Sequence, residues 1–160
     1  MGMATLHEMM ARMELAPPAA GDDIAALEAA TLRRLPEDYP LILRWSDGAE
    51  GYVGGRGYLR LWSAGDVIRF NEAYRVSEFL PDVVLFRSDA AAIGYGFDFA
   101  AGSSRVVAFE LAGMHRDYVW VAASSFPDLV RLRGREPLPH GTPELLDHKP
   151  PDWATGSCPP

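Results

Sequence analysis

The short spacing between strand-like segments constrains the fold of this chain more than any other feature of its sequence. Four segments rich in β-branched and aromatic residues follow one another closely, at 83–87, 93–99, 105–109 and 118–122. Parallel neighbours in a sheet need crossovers of a dozen or more residues, and the stretches between these segments are shorter. The four strands are therefore predicted to pair antiparallel. A fifth strand is predicted at 58–62, where residue character alternates.

Helical patterns precede the strands, interrupt them once and follow them. Helices are predicted at 3–15, from Asp22 or Asp23 onward, from Leu35 to Gly48, after Ser63, and at 126–133. This order of helices, strands, one inserted helix and a closing helix is typical of the α+β class. We therefore predict a largely antiparallel β-sheet of about five strands with helices packed around it.

The sequence divides into one domain and two terminal segments. Its 160 residues suffice for a single domain that buries a core without a metal or a disulfide. We predict an N-terminal helix and linker at 1–21 and the folded domain at 22–134. The remaining segment, 135–160, contains seven prolines, which leave no room for a long regular element.

Charge and composition argue against several classes of function. The formal net charge of −7 disfavours nucleic-acid binding, which depends on Lys and Arg neutralising phosphates. No segment approaches the roughly 20 apolar residues of a membrane span, and the N-terminus lacks the apolar run of a signal peptide. The single cysteine, Cys158, excludes an intramolecular disulfide. We therefore expect a cytoplasmic protein that binds neither nucleic acid nor membrane.

Motifs for catalysis, cofactor binding and metal binding are absent from the sequence. It contains no G-x-x-x-x-G-K-[ST] loop, no G-x-S-x-G elbow and no H-E-x-x-H, and its four histidines are scattered. We expect no enzyme activity, no cofactor and no metal site. The carboxylates of Asp47, Glu50, Asp89 and Asp98 lie in or beside predicted turns. For them, structural roles in turns are favoured over acid–base catalysis.

Five short segments, taken in their order and spacing, carry a family resemblance. They are Leu-Pro-Glu-Asp-Tyr at 35–39, Trp-Ser-Asp-Gly-Ala-Glu-Gly at 45–51, Tyr-Leu-Arg-Leu-Trp-Ser at 58–63, Leu-Phe-Arg-Ser-Asp-Ala at 85–90 with Tyr-Gly-Phe-Asp at 95–98, and Ser-Phe-Pro-Asp-Leu at 125–129. Together they resemble the SMI1/KNR4 (SUKH) family over about 22–133. The chain departs from the family at Arg87, where a glycine is common, and at 90–92, where alanines replace a glycine-rich turn.

The resemblance implies a fold and a kind of function. It implies helices around a largely antiparallel sheet, in agreement with the fold predicted from the residue pattern, and it brings no catalytic residues. Many bacterial members are immunity proteins that bind and neutralise a cognate toxin. Our first hypothesis is therefore an immunity protein whose partner is a toxin domain. The alternative is a regulatory or scaffold module, as in fungal members, and a small hydrolase is the third class.

The candidate partner-binding residues lie near two turns. Glu50, Tyr52 and Arg56 belong to a glycine-rich segment, and Asp89 and Tyr95 lie at or beside the turn that follows 83–87. Acidic and aromatic side chains suit a toxin with a basic substrate site, since interface energy concentrates in a few Trp, Tyr or Arg anchors. For each residue the alternative is a rigid turn position or a place in the core. The sequence does not specify an oligomeric state.

Overall fold

The computed structural model describes residues 2–100 and 105–135, within which the predicted helices and strands occur together with unpredicted elements at 14–15, 49–53 and 76–79. The elements are α1 (Met3–Met10), β1 (Glu14–Leu15), α2 (Gly21–Thr31), α3 (Asp38–Trp45), β2 (Ala49–Val53), β3 (Gly57–Leu61), α4 (Ala64–Ala73), α5 (Val76–Phe79), β4 (Val83–Ser88), β5 (Ile93–Asp98), β6 (Arg105–Glu110), a 3₁₀ turn (Arg116–Tyr118), β7 (Trp120–Ala123) and α6 (Phe126–Gly134). The predicted tail lies outside the described residues, except for Arg135.

All strand pairs in the described ranges are antiparallel, and they form two sheets. One sheet has the order β1-β2-β3 and the other β4-β5-β6-β7. The predicted α+β class with antiparallel pairing is confirmed. The strands number seven instead of about five, because β1 and β2 were not predicted as strands. The two sheets meet where Arg87 Nε on β4 donates a hydrogen bond of 3.2 Å to the carbonyl oxygen of Arg60 on β3.

The helix predicted at 3–15 ends at Met10, because the chain then enters the first sheet. Glu14 and Leu15 pair with β2, so their backbone groups are hydrogen-bonded across strands instead of along a helix. Close packing at Gly51 accompanies this pairing. A Cβ at Gly51 would lie 3.1 Å from the Cα of Met13, and its φ of 144° is one that residues with side chains rarely adopt.

The strand predicted at 118–122 begins two residues later, at Trp120. The preceding residues form a 3₁₀ turn, and His115 Nδ1 accepts a hydrogen bond of 3.1 Å from the backbone N–H of Asp117 at its start. This side-chain cap offers the backbone an alternative to strand pairing.

Four fully buried aromatic rings from four elements form the centre of the core. They are Tyr39 of α3, Phe86 of β4, Phe97 of β5 and Phe126 of α6. The rings of Phe86 and Phe97 stack with centroids 4.3 Å apart, and Tyr39 meets Phe97 edge-on at 5.1 Å. Such geometries add to the stabilisation from buried area. The cluster therefore fixes α3 and α6 against the second sheet.

The N-terminal helix contributes to the same core, since Leu6 and Met10 of α1 are fully buried. A Cβ added to Gly134 of α6 would lie 2.6 Å from the Met9 side chain, which shows how closely α1 and α6 approach.

The division into segments 1–21, 22–134 and 135–160 stays a prediction. Within the described ranges, no helix has both the length and the apolar character needed to cross a bilayer.

A fully buried carboxylate, Asp98 at the end of β5, is held by two arginines. Arg116 Nη2 donates to its two oxygens at 2.8 and 3.0 Å, Arg105 Nη2 donates at 3.1 Å, and the backbone N–H of Ala100 donates at 3.1 Å. Burial alone would raise the pKa of Asp98, but these hydrogen bonds outweigh it and hold the pKa below its usual value. The network closes the end of the β5–β6 hairpin.

Replacing Asp98 by Asn is expected to lower the free energy of unfolding at neutral pH by about 2 kcal/mol. Breaking a fully buried ion pair costs more, but the two arginine side chains remain 39% and 42% exposed. Because the folded pKa lies below the unfolded value of about 3.9, the carboxylate stabilises the fold above that pH and loses its effect as pH falls through the folded pKa. Urea unfolding of both proteins across an acid pH series measures this.

The matched control is Asp117→Asn, which removes an exposed carboxylate and should change stability little at any pH. A stability difference for Asp98→Asn that stays constant into the acid range would contradict the role assigned to the charge.

Candidate functional site

A buried serine ties the N-terminal segment to the loop that follows α3. Ser46 is fully buried, accepts a hydrogen bond of 2.9 Å from the backbone N–H of Ala16, and donates one of 2.6 Å to the carbonyl oxygen of Gly48. Beside it, the backbone N–H of Asp47 donates to the carbonyl oxygen of Pro17 at 3.0 Å. These bonds set the segment that carries β1 beside the start of β2.

The same loop fixes the start of α4. Asp47 Oδ1 accepts a hydrogen bond of 2.8 Å from the backbone N–H of Ala64, and Ser63 Oγ accepts one of 3.1 Å from that of Asp66. Both satisfy donors that the first turn of a helix leaves free. Gly48 has a φ of 97°, and a Cβ there would lie 3.1 Å from the backbone nitrogen of Ser63. Asp47 directly follows the end of α3, but its side chain caps the start of α4.

Two of the predicted binding residues, Glu50 and Tyr52, lie on one face of the β1-β2-β3 sheet. Side chains alternate along a strand, so these two share a face while their neighbours in β2 turn towards the core. In register, Glu50 lies between Glu14 of β1 and Arg60 of β3, and Tyr52 lies opposite Tyr58. We call these five residues the outer sheet face. Glu14 and Arg60 are exposed, and the other three are partly exposed.

The two tyrosines of the outer sheet face form an ordered pair. Their rings meet edge-on with centroids 5.7 Å apart, and the hydroxyl of Tyr58 donates a hydrogen bond to the carboxylate of Glu50. The side chains of Tyr52, Tyr58 and Glu50 are therefore mutually restrained, which lowers the entropy that a partner must remove on binding.

Arg56, the third predicted residue, is exposed at the tip of the hairpin between β2 and β3. The turn is formed by Gly54 and Gly55, with φ of 57° and 76°, values that glycine adopts readily. The backbone N–H of Gly54 donates to the carbonyl oxygen of Met9 at 3.0 Å, so the turn is anchored on α1. Arg56 thus lies at the end of the outer sheet face that carries the tyrosine pair.

Asp89 and Tyr95 do not join these residues on the outer sheet face. Asp89 Oδ1 accepts hydrogen bonds of 2.9–3.0 Å from three successive backbone N–H groups at 91–93, so it caps the β4–β5 turn. Tyr95 is fully buried, and the guanidinium carbon of Arg87 lies 4.2 Å from its ring centroid. Tyr95 has no exposed surface in this structure, and we leave it out of the binding surface.

A shallow groove of about 320 Å³ borders the outer sheet face. The charged side chains along it are those of Glu14, Asp47, Glu50, Asp66 and Arg60. Four carboxylates against one guanidinium in the lining give the groove a negative charge, and of the four Asp66 is paired at 2.9 Å with Arg69 outside the lining. Sequence reasoning missed Glu14 because the pattern at 3–15 predicted a helix, whereas the helix predicted after Ser63 did place Asp66 in a first turn.

The register places like charges next to each other in the groove. Glu14 and Glu50 are directly opposite on β1 and β2, an arrangement that destabilises a sheet. Arg60 and the hydroxyl of Tyr58 offset part of this cost for Glu50. A cation brought by a partner would lower the free energy of both carboxylates, so the groove favours a basic ligand.

The four carboxylates considered for catalysis do not converge on one site. Asp47 and Glu50 share the groove, whereas Asp89 and Asp98 lie at opposite ends of the β4–β5 hairpin. In the part of the chain that the structure describes, no three His, Cys, Asp or Glu side chains are grouped to hold a metal ion.

A comparison with protein-family models gives a match over most of the chain. A model of the SMI1 / KNR4 family (SUKH-1) matches residues 18–131, which extend from the segment before α2 into α6. No curated protein matches the chain. The matched residues do not include α1 or β1, so Glu14 lies outside the matched region.

Replacing Asp47 by Ala is expected to lower the free energy of unfolding by about 1–2 kcal/mol, the usual cost of losing a side-chain cap. Asp47→Asn keeps an oxygen that can accept from the backbone N–H of Ala64 and should cost clearly less. Chemical denaturation of the three proteins measures the difference. Equal losses for Ala and Asn would show that the charge of Asp47, and not its hydrogen bond, stabilises the loop.

Proposed function

Because the chain belongs to the SMI1/KNR4 family (SUKH-1), we propose that it acts by binding another protein, and that it is an immunity protein that neutralises a toxin domain. The observation that carries the proposal is the outer sheet face with its groove, where carboxylates and two ordered tyrosines lie together. Such a surface fits a basic protein partner.

Occlusion of the toxin's substrate site is the proposed mechanism. A toxin that acts on nucleic acid must neutralise phosphates, so its substrate site carries Lys and Arg side chains. The groove presents carboxylates to the same side chains, and the net charge of −7 attracts a basic domain from a distance. The bound protein then excludes substrate without any chemical step.

The tyrosine pair supplies the apolar part of the proposed interface. Tyrosine is enriched among residues that dominate binding energy, because it buries a large ring and keeps a polar tip. Tyr52 and Tyr58 are already packed on each other, and Tyr58 is fixed by Glu50. Binding therefore requires little ordering of the side chains that would contribute most.

The proposal is tested by capturing partners from the source organism at low and moderate salt, with this protein as bait, and then expressing each captured protein alone and with it. We expect one dominant partner, nanomolar affinity, and growth inhibition by the partner that this protein relieves. Several weakly bound partners without growth inhibition would contradict the immunity function and favour the scaffold alternative.

Charge reversal at Glu14 separates local contact from overall charge. Glu14→Lys should weaken binding to the captured partner at least tenfold, about 1.4 kcal/mol, because it places a cation where the partner's cations dock. It should leave the free energy of unfolding unchanged or higher, because the repulsion between Glu14 and Glu50 is removed. Titration calorimetry and urea unfolding measure the two effects.

The matched control is Asp117→Lys, which changes the net charge equally at an exposed position outside the groove. Tyr52→Ala should weaken binding without any change in charge. Equal losses for Glu14→Lys and Asp117→Lys would show that the outer sheet face makes no specific contact.

A further inference from the structure

A second surface, formed where α2, α4 and α5 meet β4, contains a partly apolar cleft of about 290 Å³. Its walls include Ile68, Pro81, Val83 and Val84. It shares no lining residue with the acidic groove. The cleft is therefore a separate feature of the molecule from the outer sheet face.

The amide of Asn71, which also lines the cleft, is engaged within the fold. Its Nδ2 donates to the carbonyl oxygen of Leu85 at 2.6 Å, and its Oδ1 accepts from the backbone N–H of Leu85 at 3.0 Å. The same Nδ2 lies 2.7 Å from the carbonyl oxygen of Val67. An occupant of the cleft needs no polar group to satisfy this amide, so the cleft suits an apolar side chain.

Leu32 stands at the rim of this cleft and is 87% exposed, the highest value among the large apolar side chains of the described residues. It ends α2 in the left-handed conformation, with φ of 55° and ψ of 28°. Glycine or asparagine is usual at such a position, and leucine there costs about 1–2 kcal/mol in backbone energy. A contact that buries the side chain would offset this cost.

We propose that the protein forms a two-fold symmetric dimer in which Leu32 of each copy inserts into the cleft of the other. A two-fold interface requires that the projection and the hollow lie on the same patch of one molecule. Leu32 and its cleft meet this requirement, because the leucine lines the rim of the cleft that its counterpart would enter. If the two-fold axis passes beside Leu32, the leucines of both copies are buried in the same interface.

In the proposed dimer, the charges beside Leu32 of one copy and those at the rim of the cleft of the other copy are complementary. Leu32 is followed by Arg33 and Arg34, and the cleft rim carries the exposed Glu72. Arg33 is engaged with Asp82 at 3.0 Å, whereas Arg34 is exposed beside Leu32. When Leu32 enters the cleft of the second copy, Arg34 approaches Glu72 of that copy, and the symmetric contact repeats the pair. This complementarity favours a second copy over an unrelated apolar partner.

Sedimentation equilibrium of the full chain over a range of protein concentrations tests the proposal. We expect a reversible dimer with micromolar affinity, and at least tenfold weaker association for Leu32→Asn. Asn suits the left-handed conformation, so this variant should unfold at the same or a higher temperature than the wild type. Ser77→Trp, at an exposed position lining the cleft, should block the cleft and weaken association from the other side of the contact.

Val121→Asn is the matched control, since it removes a 54% exposed apolar side chain from β7, outside the cleft, and should leave the dimer intact. A wild-type protein that stays monomeric at every concentration would overturn the proposal. A dimer that survives Leu32→Asn, or that Val121→Asn weakens equally, would overturn it too. Arg34→Glu and Glu72→Arg should each weaken the dimer, and the double variant should restore it.

Discussion

The hydrogen bonds of the Ser46-Asp47-Gly48 loop hold together segments that are far apart in the sequence, and the candidate binding surface depends on them. Ser46 bonds to a residue 30 positions earlier, and Asp47 to one 17 positions later. Each bond satisfies a backbone donor that would cost about 1–3 kcal/mol if it were buried without a partner. β1, β2 and the start of α4 are thereby fixed relative to one another, and with them Glu14, Glu50 and Asp66.

The candidate surface therefore combines a rigid frame with an unfavourable charge arrangement. The frame places Glu14 opposite Glu50, and Arg60 and the hydroxyl of Tyr58 next to Glu50 offset only part of the cost. A charge pattern selected for stability alone would not place two carboxylates directly opposite each other. Proteins tolerate such local costs where function requires them, since the rest of the fold supplies the stability. Here the aromatic core and the Asp98 network lie away from the groove.

Local sequence patterns placed Glu50 and Tyr52 in a glycine-rich segment and did not predict β2. Once this segment is a strand, the spacing of two residues puts both side chains on one face. The same reasoning fails for Tyr95, because every residue of β5 is buried and an alternating pattern does not separate an inner from an outer face. The position of β5 between β4 and β6 decides this, and it is a property of the sheet order.

Tertiary pairing also explains why Glu14 was not found from the sequence. Its local context favours a helix, but the backbone pairs with β2 after Met10, and contacts with distant residues override weak local preference. Leu32 is a different case, because no local sequence pattern predicts its left-handed conformation or its exposure. It follows a helix that the pattern did predict, and only the position of α4 and α5 creates the cleft beside it.

The two proposed surfaces respond differently to salt, because their energetics differ. Docking of a basic partner on the carboxylates of the groove weakens as ions screen the attraction. Two copies of this chain each carry a net charge of −7 and repel each other at long range, while the contact combines the apolar Leu32 with exposed Arg34–Glu72 pairs that contribute only about 0–1 kcal/mol each. Added salt therefore lowers the repulsion between the copies more than it weakens their contact. The affinity of the dimer rises with salt, while the affinity for a basic partner falls. Since the cleft and the groove share no lining residue, substitutions in one leave the lining of the other intact, and the opposite responses to salt can be measured separately.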